Sequence, residues 1–474
     1  MLDTSLPIPA NELEAWLRDL PARPAVFALF GPEASGDSAA LEPYISKTAN
    51  LRRRMHRLLA PSSAGSKRLH LGGTAVRLDY SEVGSEFATA LLMLQAVRRY
   101  CGERVRKHLH LRSPSLLRLA WENRYPRVYA TNRVTQRALA TTYGPFPSRA
   151  AAERFLEDSL NFFELRRCTD ELHPDPIFPG CVYSEMKMCL APCFKGCSDE
   201  RYAMEAEQVR EYLASRGAWT IARLEHERNA ASAALDFEKA ARLHQQIQKM
   251  KAVAQQTAPL VHPLADLDAV VVQPAVAQPV TAAGAKPEKM SNRALRTEAA
   301  HVAIYLVRGG RILGPGLYSV EGMRHPNERA GSTSLFAHPT LLEPTPLEAP
   351  PVTHGADSGV QAAGTKVARG QLEQRLQAVL EELESQARLE KISPEQLSEH
   401  LSLLTRWYYR PVHRRTGEIF FRDEKNAADS TEERPFPLSR ILRGISRVFC
   451  GQKDISEVAA DAGTLQPSGD APGL

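Results

Sequence analysis

The stretch Pro179–Cys197 reads PGCVYSEMKMCLAPCFKGC and contains four of the seven cysteines of a 474-residue chain. A fifth cysteine ends the preceding sequence LRRC. Intervals of 12, 7 and 3 residues separate Cys168, Cys181, Cys189 and Cys193, which is a spacing typical of a metal site. Four thiolates can hold a tetrahedral zinc ion or an iron–sulfur cubane. The alternatives are buried apolar thiols, or disulfides if the protein were exported.

Around this stretch the sequence resembles a known family. The segment YGPFPS (Tyr143–Ser148), the LRRC sequence, the CxAPC core of MCLAPC and the following SDERY are similar in order and spacing to the central part of UvrC, the nuclease subunit of bacterial excision repair. The resemblance implies that Cys168, Cys181, Cys189 and Cys193 hold a [4Fe-4S] cluster. Cys197 is then a spare or alternative ligand, and zinc is the alternative metal.

The charge distribution suggests a nucleic-acid partner. The net charge is only +5, but the segment Arg98–Arg137 carries eleven Lys or Arg residues against Glu103 and Glu122. Such a segment can neutralise phosphates, although a solvated helix face has the same composition. Tyr125 and Tyr129 lie among these arginines and either stack on bases or pack as strand core. We predict DNA binding, with these candidate contacts: Arg52, Arg98, Arg99 and Arg127.

Targeting signals are not evident in the sequence. The N-terminus has no basic flank before an apolar core, as a signal peptide would. No run approaches the ~18 apolar residues that a membrane span needs. Clustered cysteines in odd number favour a reducing compartment. We therefore expect a cytoplasmic protein without a membrane partner.

Residues 21–110 have the pattern of a small α/β domain. Short apolar strands are predicted at Ala25–Phe30, Tyr44–Lys47 and Thr74–Ser81, with a basic helix after the second strand and an apolar helix at Glu86–Tyr100. This layout resembles the GIY-YIG nuclease domain that begins UvrC. The resemblance implies three catalytic or phosphate-contacting residues: Tyr44, Lys47 and Arg54.

The nuclease resemblance is incomplete. Phe27 and Ser46 replace a tyrosine and a glycine of the two short motifs, and Met93 occupies the position of the metal-binding glutamate. A shift of two residues places Gln95 there instead. Divalent hard cations need anionic oxygen ligands, so we predict weak or absent cleavage, with magnesium used only if the domain is active. Substitution by the nearby carboxylates Glu82 or Glu86 is the alternative.

Residues 220–253 have the apolar pattern of a helical hairpin. The sequence ALDFEKAARLHQQIQKM (Ala234–Met250) resembles the UVR motif, by which UvrC pairs with the helicase subunit UvrB. The pair His244–Gln245 departs from the Arg-Asp that is usual there. A hairpin this short cannot bury its apolar face alone, so it either binds a partner or packs on its own chain. The candidate partner contacts are Leu235, Phe237, Ala241 and Ile247.

We therefore predict a multidomain α+β protein. It has a small GIY-YIG-like α/β sandwich, a helical cysteine-cluster module, a helical hairpin and a small mixed C-terminal domain. The predicted segments are an N-terminal helix (1–20), the GIY-YIG-like domain (21–110), the cysteine module (111–215), the UVR hairpin (216–256), a partial UvrC homology region with a linker insert (257–322), a loop (323–370), a helical region (371–455) and a disordered tail (456–474).

The family resemblance implies a role in nucleotide excision repair with DNA and UvrB as partners. Two alternatives differ in the chemistry of the first domain. The protein is either an active excinuclease subunit that makes one DNA incision, or a non-catalytic adaptor that competes with UvrC for UvrB. A carboxylate at position 93 would favour the enzyme, and the sequence has methionine there.

Overall fold

The structure, a computed structural model, confirms the α+β class. It describes residues 2–9, 11–32, 42–61, 69–169, 171–276, 301–323, 369–389, 392–422 and 435–462, with side chains of the last helix described to residue 451. The described residues form three antiparallel sheets of four strands each, and each sheet packs against helices that follow its strands.

The first sheet has the strand order β1-β4-β2-β3. Its strands are β1 (Thr4–Pro7), β2 (Ala25–Phe30), β3 (Tyr44–Thr48) and β4 (Arg77–Glu82). The accompanying helices are α1 (Leu13–Asp19), α2 (Leu51–Leu59), α3 (Glu86–Cys101) and α4 (Val105–Leu109). Strand β2 is central and almost fully buried, because its alternating side chains face two different cores. The predicted strand Ala25–Phe30 is confirmed with the same bounds, whereas β1 was not predicted.

The second sheet has the order β6-β5-β7-β8 and carries the cysteine module. Its strands are β5 (Ser115–Leu119), β6 (Val128–Thr131), β7 (Thr142–Phe146) and β8 (His262–Pro263). The helices are α5 (Arg149–Leu160), α6 (Val182–Glu185), α7 (Asp199–Ala214), α8 (Ala218–Ala233) and α9 (Phe237–Gln255). Helices α8 and α9 form the predicted hairpin, and their first and last turns pack on α7 and α5 respectively. The base of the hairpin thus belongs to the core of this domain.

The third sheet has the order β11-β10-β9-β12. Its strands are β9 (Ala269–Pro274), β10 (His301–Arg308), β11 (Arg311–Ser319) and β12 (Glu418–Phe421), and its helices are α10 (Arg369–Leu389), α11 (Pro394–Tyr408) and α12 (Leu438–Ala462). A turn at Gly309–Gly310 joins β10 to β11, with φ of 56° and 79°. Strand β12 lies within the region predicted to be helical and pairs with β9.

Three predicted segments fall mainly on residues that the structure does not describe. They are the linker insert before β10, most of the loop 323–370 and the end of the tail 456–474. The first residues of that tail continue helix α12.

Helix α3 joins the first domain to the third sheet. Ser85 caps the helix by accepting a hydrogen bond from the Ala88 N–H at 3.0 Å. The Phe87 ring lies edge-on to Tyr305 and to Trp407 of α11, with centroids 5.1 and 5.2 Å away. Apolar residues of α3, α11 and the third sheet therefore form one continuous core.

A buried ion pair accompanies this core. The Arg98 guanidinium of α3 donates to the Glu399 carboxylate of α11 at 2.5 Å, and only 4% of the Glu399 side chain is exposed. Arg106 donates to the Ser398 hydroxyl at 2.9 Å, and Glu86 pairs with Arg410. These contacts place polar links at the edge of an apolar interface.

Candidate cysteine centre, nuclease-like face and hairpin tip

Short turns bring the cysteine segments together. Cys181 is the N-cap of α6, where its N–H donates to the Ser184 hydroxyl at 3.0 Å. The Leu190 N–H donates to the Glu164 carbonyl at 2.9 Å, which places the segment after Cys189 beside the segment that leads to Cys168. The Asp175 N–H donates to the Cys193 carbonyl at 2.9 Å and closes the intervening loop. The four predicted ligands thus converge on one site.

The four thiols are electrostatically coupled. Burial raises the pKa of the Cys189 thiol to about 11, against the lowering effect of a hydrogen bond from the Ala191 N–H. Charge on Cys168, Cys181 and Cys193 raises this pKa further by repulsion. The Ala191 nitrogen lies 3.4 Å from the Cys189 Sγ. The Cys189 thiol is therefore protonated at neutral pH, and a metal ion that bound it would displace the proton.

The four thiols do not form a compact group. Across the described residues, which include all four cysteines, no three of these thiols come within 4.8 Å of one another. They are nevertheless near enough for their charges to interact.

Two residues near the Cys168 thiol, Arg166 and Tyr202, were not predicted as functional. Arg166 is 5% exposed, and its Nη1 lies 3.8 Å from the Cys168 Sγ. The hydroxyl of buried Tyr202 accepts from the Arg166 N–H and donates to the Pro126 carbonyl at 2.8 Å. These contacts hold in place the backbone of the segment that leads to Cys168. An arginine two positions before a cysteine was the only sequence signal for them.

Cys197 occupies a different environment. It packs at the edge of the core that contains Tyr202. Burial raises the pKa of its thiol, with a further increase from the Asp199 carboxylate and a decrease from Arg201. Repulsion from Cys193 also raises the pKa of the Cys197 thiol, and it is the smallest of these effects. The surroundings of Cys197 thus differ from those of Cys189, on whose thiol three cysteines act.

The nuclease-like residues are only partly assembled. Arg54 donates to the Tyr44 hydroxyl at 2.9 Å, and the Phe27 ring lies 6.1 Å from the Tyr44 ring. Side chains alternate along a strand, and Ile45 packs against the core that contains α3. Lys47 shares the face of Ile45 and is exposed. The structure therefore pairs Tyr44 with Arg54 and leaves Lys47 on the other face of the sheet.

The two positions predicted for the metal-binding glutamate hold uncharged side chains. Met93 is half-buried and packs against the shared core, and Gln95 is exposed. The two nearby carboxylates named above have other partners. Glu82 pairs with Arg23 at 3.4 Å, and Glu86 pairs with Arg410.

The predicted DNA contacts differ in availability. Arg98 is engaged with Glu399, so it is not the free cation that the sequence suggested. The Arg52 Nε donates to the Leu20 carbonyl at 2.7 Å, which gives this residue a structural contact. Arg99 is exposed, and the Arg127 guanidinium lies 4.8 Å from the Tyr129 ring centroid.

The two tyrosines that lie among the arginines of this segment, Tyr125 and Tyr129, have different environments. Tyr125 is 7% exposed, and its hydroxyl donates to the Asp199 carboxylate at 2.6 Å. Its ring packs edge-on against Tyr202, with centroids 5.3 Å apart. Tyr125 is therefore a core residue, whereas Tyr129 is half-exposed beside Arg127.

The hairpin presents an apolar tip. Leu235 and Phe237 are 73% and 64% exposed, and Ala241 is exposed one turn further along α9. Asp236 caps α9 by accepting from the Lys239 N–H at 3.0 Å, so the two apolar side chains flank a rigid turn. Ile247 is fully buried in the domain core. The prediction of Ile247 as a partner contact is therefore wrong, because the base of the hairpin packs on its own chain.

Comparison with known proteins identifies these regions. Residues 115–212 match the family model of the UvrC/Cho excinuclease middle domain, and residues 220–253 match the UvrB/uvrC motif. These two regions of the chain are similar to the UvrC family. The cysteine centre and the hairpin both lie within the matched parts of the UvrC-like chain.

Curated relatives agree with this assignment. UvrABC system protein C of Aliivibrio salmonicida is 27% identical over 252 residues, which cover 52% of this chain and 40% of the relative. The protein of the same name from Edwardsiella ictaluri is 29% identical, covering 51% of this chain and 38% of the relative. The one from Alcanivorax borkumensis is 30% identical, covering 45% and 35%. The chain thus spans about two fifths of the length of these relatives.

Two further searches gave negative results. No solved structure matches this chain significantly. Within the described ranges, none of the helices has both the length and the apolar character that a membrane span requires.

Proposed function

We propose that this UvrC-like chain acts in nucleotide excision repair by binding DNA and UvrB, while its nuclease-like domain has little or no cleavage activity. The observation that carries the proposal is the exposed apolar tip of a hairpin that matches the UvrB/uvrC motif. Large apolar side chains exposed at a rigid turn are typical anchors for a partner protein.

The tip has the features of a small binding surface. Leu235 has a left-handed backbone conformation, with φ of 63°, which projects it away from the hairpin axis. Phe237 begins α9 directly after the Asp236 cap. Aromatic and aliphatic side chains held on a rigid frame lose little entropy on binding. The UvrB copy of the same motif is the partner that the motif implies.

We expect the substitution Leu235→Ala with Phe237→Ala to weaken UvrB binding by the full-length protein at least ~30-fold, because two central anchors together contribute about 2 kcal/mol or more. Isothermal titration calorimetry with purified UvrB measures the change. Met204→Ala is the matched control, since Met204 is 56% exposed on α7. Equal affinity of the double variant and the control would contradict the tip as the docking site, and no binding by the wild type would contradict the UvrB partnership.

The four cysteines are proposed to hold a [4Fe-4S] cluster that stabilises the middle domain. Support comes from the charge coupling of the other three thiols to Cys189 and from the N–H donor at Cys189. The ligands would be Cys168, Cys181, Cys189 and Cys193. When bound, the cluster supplies the positive charge that offsets four thiolates and ties together two segments of irregular chain. Cys197 remains outside the ligand set in this proposal.

DNA is the second proposed partner. Arg99 is exposed, and the half-buried Arg127 lies over the half-exposed Tyr129 ring. Arginine next to an aromatic ring suits a phosphate backbone with unstacked bases. Binding of this kind is independent of sequence and decreases with salt.

Loss of cleavage is proposed because the metal-binding carboxylate is missing. Met93 packs in an apolar core, and both nearby carboxylates are in ion pairs. We expect no incision above background when a lesion-bearing duplex is incubated with this protein, UvrA, UvrB, ATP and Mg²⁺. Denaturing gel electrophoresis of the labelled strand measures this. Incision by the wild type that disappears in Tyr44→Phe would instead establish an active excinuclease with a displaced metal ligand.

If the protein binds UvrB and makes no incision, this result supports the hypothesis that it is a non-catalytic adaptor. In that case the protein would compete with an authentic UvrC, and its addition would slow incision by the complete system in proportion to its concentration. The DNA-binding residues then serve to position the complex and not to cut.

A further inference from the structure

A second group of metal-binding side chains lies outside the cysteine module. Glu42 precedes β3, Cys101 is the last residue of α3, and His108 lies in α4. One ligand atom from each comes within 4.8 Å of the others. They are the only such trio in the described part of the chain. Cys101 and His108 are near in sequence, whereas Glu42 is brought in by the fold.

Local structure accounts for the approach of the three side chains. Helix α3 ends at Gly102, whose φ of 56° turns the chain sharply into α4. This turn places His108 back beside Cys101. The Tyr100 ring packs edge-on against Phe30, with centroids 5.2 Å apart, and so holds the end of α3 against the first sheet.

We propose that Glu42, Cys101 and His108 bind one zinc ion. A thiolate, an imidazole and a carboxylate are all common zinc ligands, and a thiolate makes magnesium or calcium unsuitable. Three protein ligands leave the fourth tetrahedral position to water. Cys101 is 9% exposed, while the other two side chains are exposed, so the ion would have a path from solvent to a partly shielded sulfur.

Charge and outer contacts suit this site. The thiolate and the carboxylate together balance the two charges of zinc. Arg104 Nη1 donates to Glu42 Oε1 at 2.7 Å, which orients the carboxylate and leaves its second oxygen for the metal. Hydrogen-bonded carboxylate ligands of this kind are usual at metal centres. The bound ion would fasten the end of α3 to the chain just before Tyr44.

This inference does not depend on the proposed repair function. Its site shares no residue with the middle-domain cysteines, and its ligands come from the first domain alone. A zinc ion here would link the turn after α3 to the residues just before an edge strand, and its fourth position would stay open to water.

Zinc per chain, measured by mass spectrometry of the full-length protein after equilibration with buffered zinc, tests the proposal. The wild type is expected to hold one more zinc than Cys101→Ser and one more than His108→Asn. A difference between variants is independent of which metal fills the central cysteine centre. Cys450→Ser is the matched control, since it removes a half-buried thiol from α12 and should leave the count unchanged.

Two outcomes decide the inference. Equal zinc in the wild type, both variants and the control would overturn it. If Cys101→Ser fails to fold, His108→Asn alone decides, because His108 is exposed and its loss leaves the core intact. Replacement of zinc by cobalt gives a second readout, since the thiolate-to-cobalt absorption should be lost in Cys101→Ser and retained in Cys450→Ser.

Discussion

If the four cysteines hold the proposed cluster, the substitution Cys189→Ser is expected to remove it and to unfold the loop around it. The thiols of Cys168, Cys181 and Cys193 all raise the pKa of the Cys189 thiol. The Cys189 Sγ accepts a hydrogen bond from the Ala191 N–H. Serine is a poor ligand for iron or zinc, so three thiolates would remain without their fourth partner. Structural metal sites contribute on the order of 10 kcal/mol in small domains, so we expect a loss of several kcal/mol in the stability of the middle domain.

Iron and sulfide analysis after anaerobic purification measures the cluster, and limited proteolysis measures the loop. We expect cluster content below about a tenth of the wild-type value, because a missing ligand greatly weakens binding. We also expect new cleavage within residues 169–198. Cys197→Ser is the matched control and should keep its cluster, since Cys197 faces Asp199 and Arg201. A colourless wild-type protein that contains zinc would contradict the cluster, and loss of metal in both variants would contradict the ligand assignment.

The substitution Glu399→Ala is expected to loosen the first domain from the third sheet. It leaves Arg98 without its partner at the edge of an apolar interface. Removal of one member of a buried ion pair typically costs about 3–5 kcal/mol, and the 28% exposure of the Arg98 side chain places this case near the lower end. Hydrogen exchange of the α3 and α11 amides should accelerate about 100-fold, since 1.4 kcal/mol corresponds to a factor of ten.

Two further variants test whether the charge is the cause. Arg406→Ala changes an exposed charged residue of the same helix and should leave exchange unchanged. The double substitution Arg98→Met with Glu399→Leu replaces the pair by apolar groups and should restore most of the protection. Faster exchange in the double variant than in Glu399→Ala would show that the ion pair itself, and not the unpaired charge, holds the interface.

Local sequence patterns predicted many of the elements. The apolar run Ala25–Phe30 has the same bounds as β2, because it is buried on both faces and flanked by proline and glycine. Asp236 caps α9 as its side-chain chemistry suggests. The turn at Gly309–Gly310 follows from two glycines that adopt positive φ. In each case the deciding interactions lie within a few residues of the chain.

Elements that depend on distant partners were missed. Strand β1 pairs with β4, and Thr4 lies opposite Tyr80. Strand β12 pairs with β9, and Glu418 lies opposite Val272. A strand of four residues is too short to show a detectable alternation of apolar and polar residues. Such a strand forms only where the edge of an existing sheet can accept its backbone hydrogen bonds. The position of Lys47 across the sheet from Tyr44 likewise follows from strand register, which motif spacing does not show.

The two candidate metal sites illustrate the same limit. Four cysteines within 26 positions predict a centre by spacing alone. Glu42, Cys101 and His108 have no such pattern, because the glutamate is separated from the cysteine by most of the first domain. Only the packing of α3 against the first sheet brings these side chains together.

The shared core between α3 and α11 has a consequence for biosynthesis. Arg98 and Glu399 are 301 residues apart. At a translation rate of about 5–20 residues per second, the ribosome takes roughly 15–60 s to deliver the second helix after the first. During that interval α11 does not yet cover the apolar side of α3, so a nascent-chain chaperone can bind this side. A chain that stops before α11 would keep this side open permanently, so premature termination should yield aggregates and not a small independent nuclease-like protein.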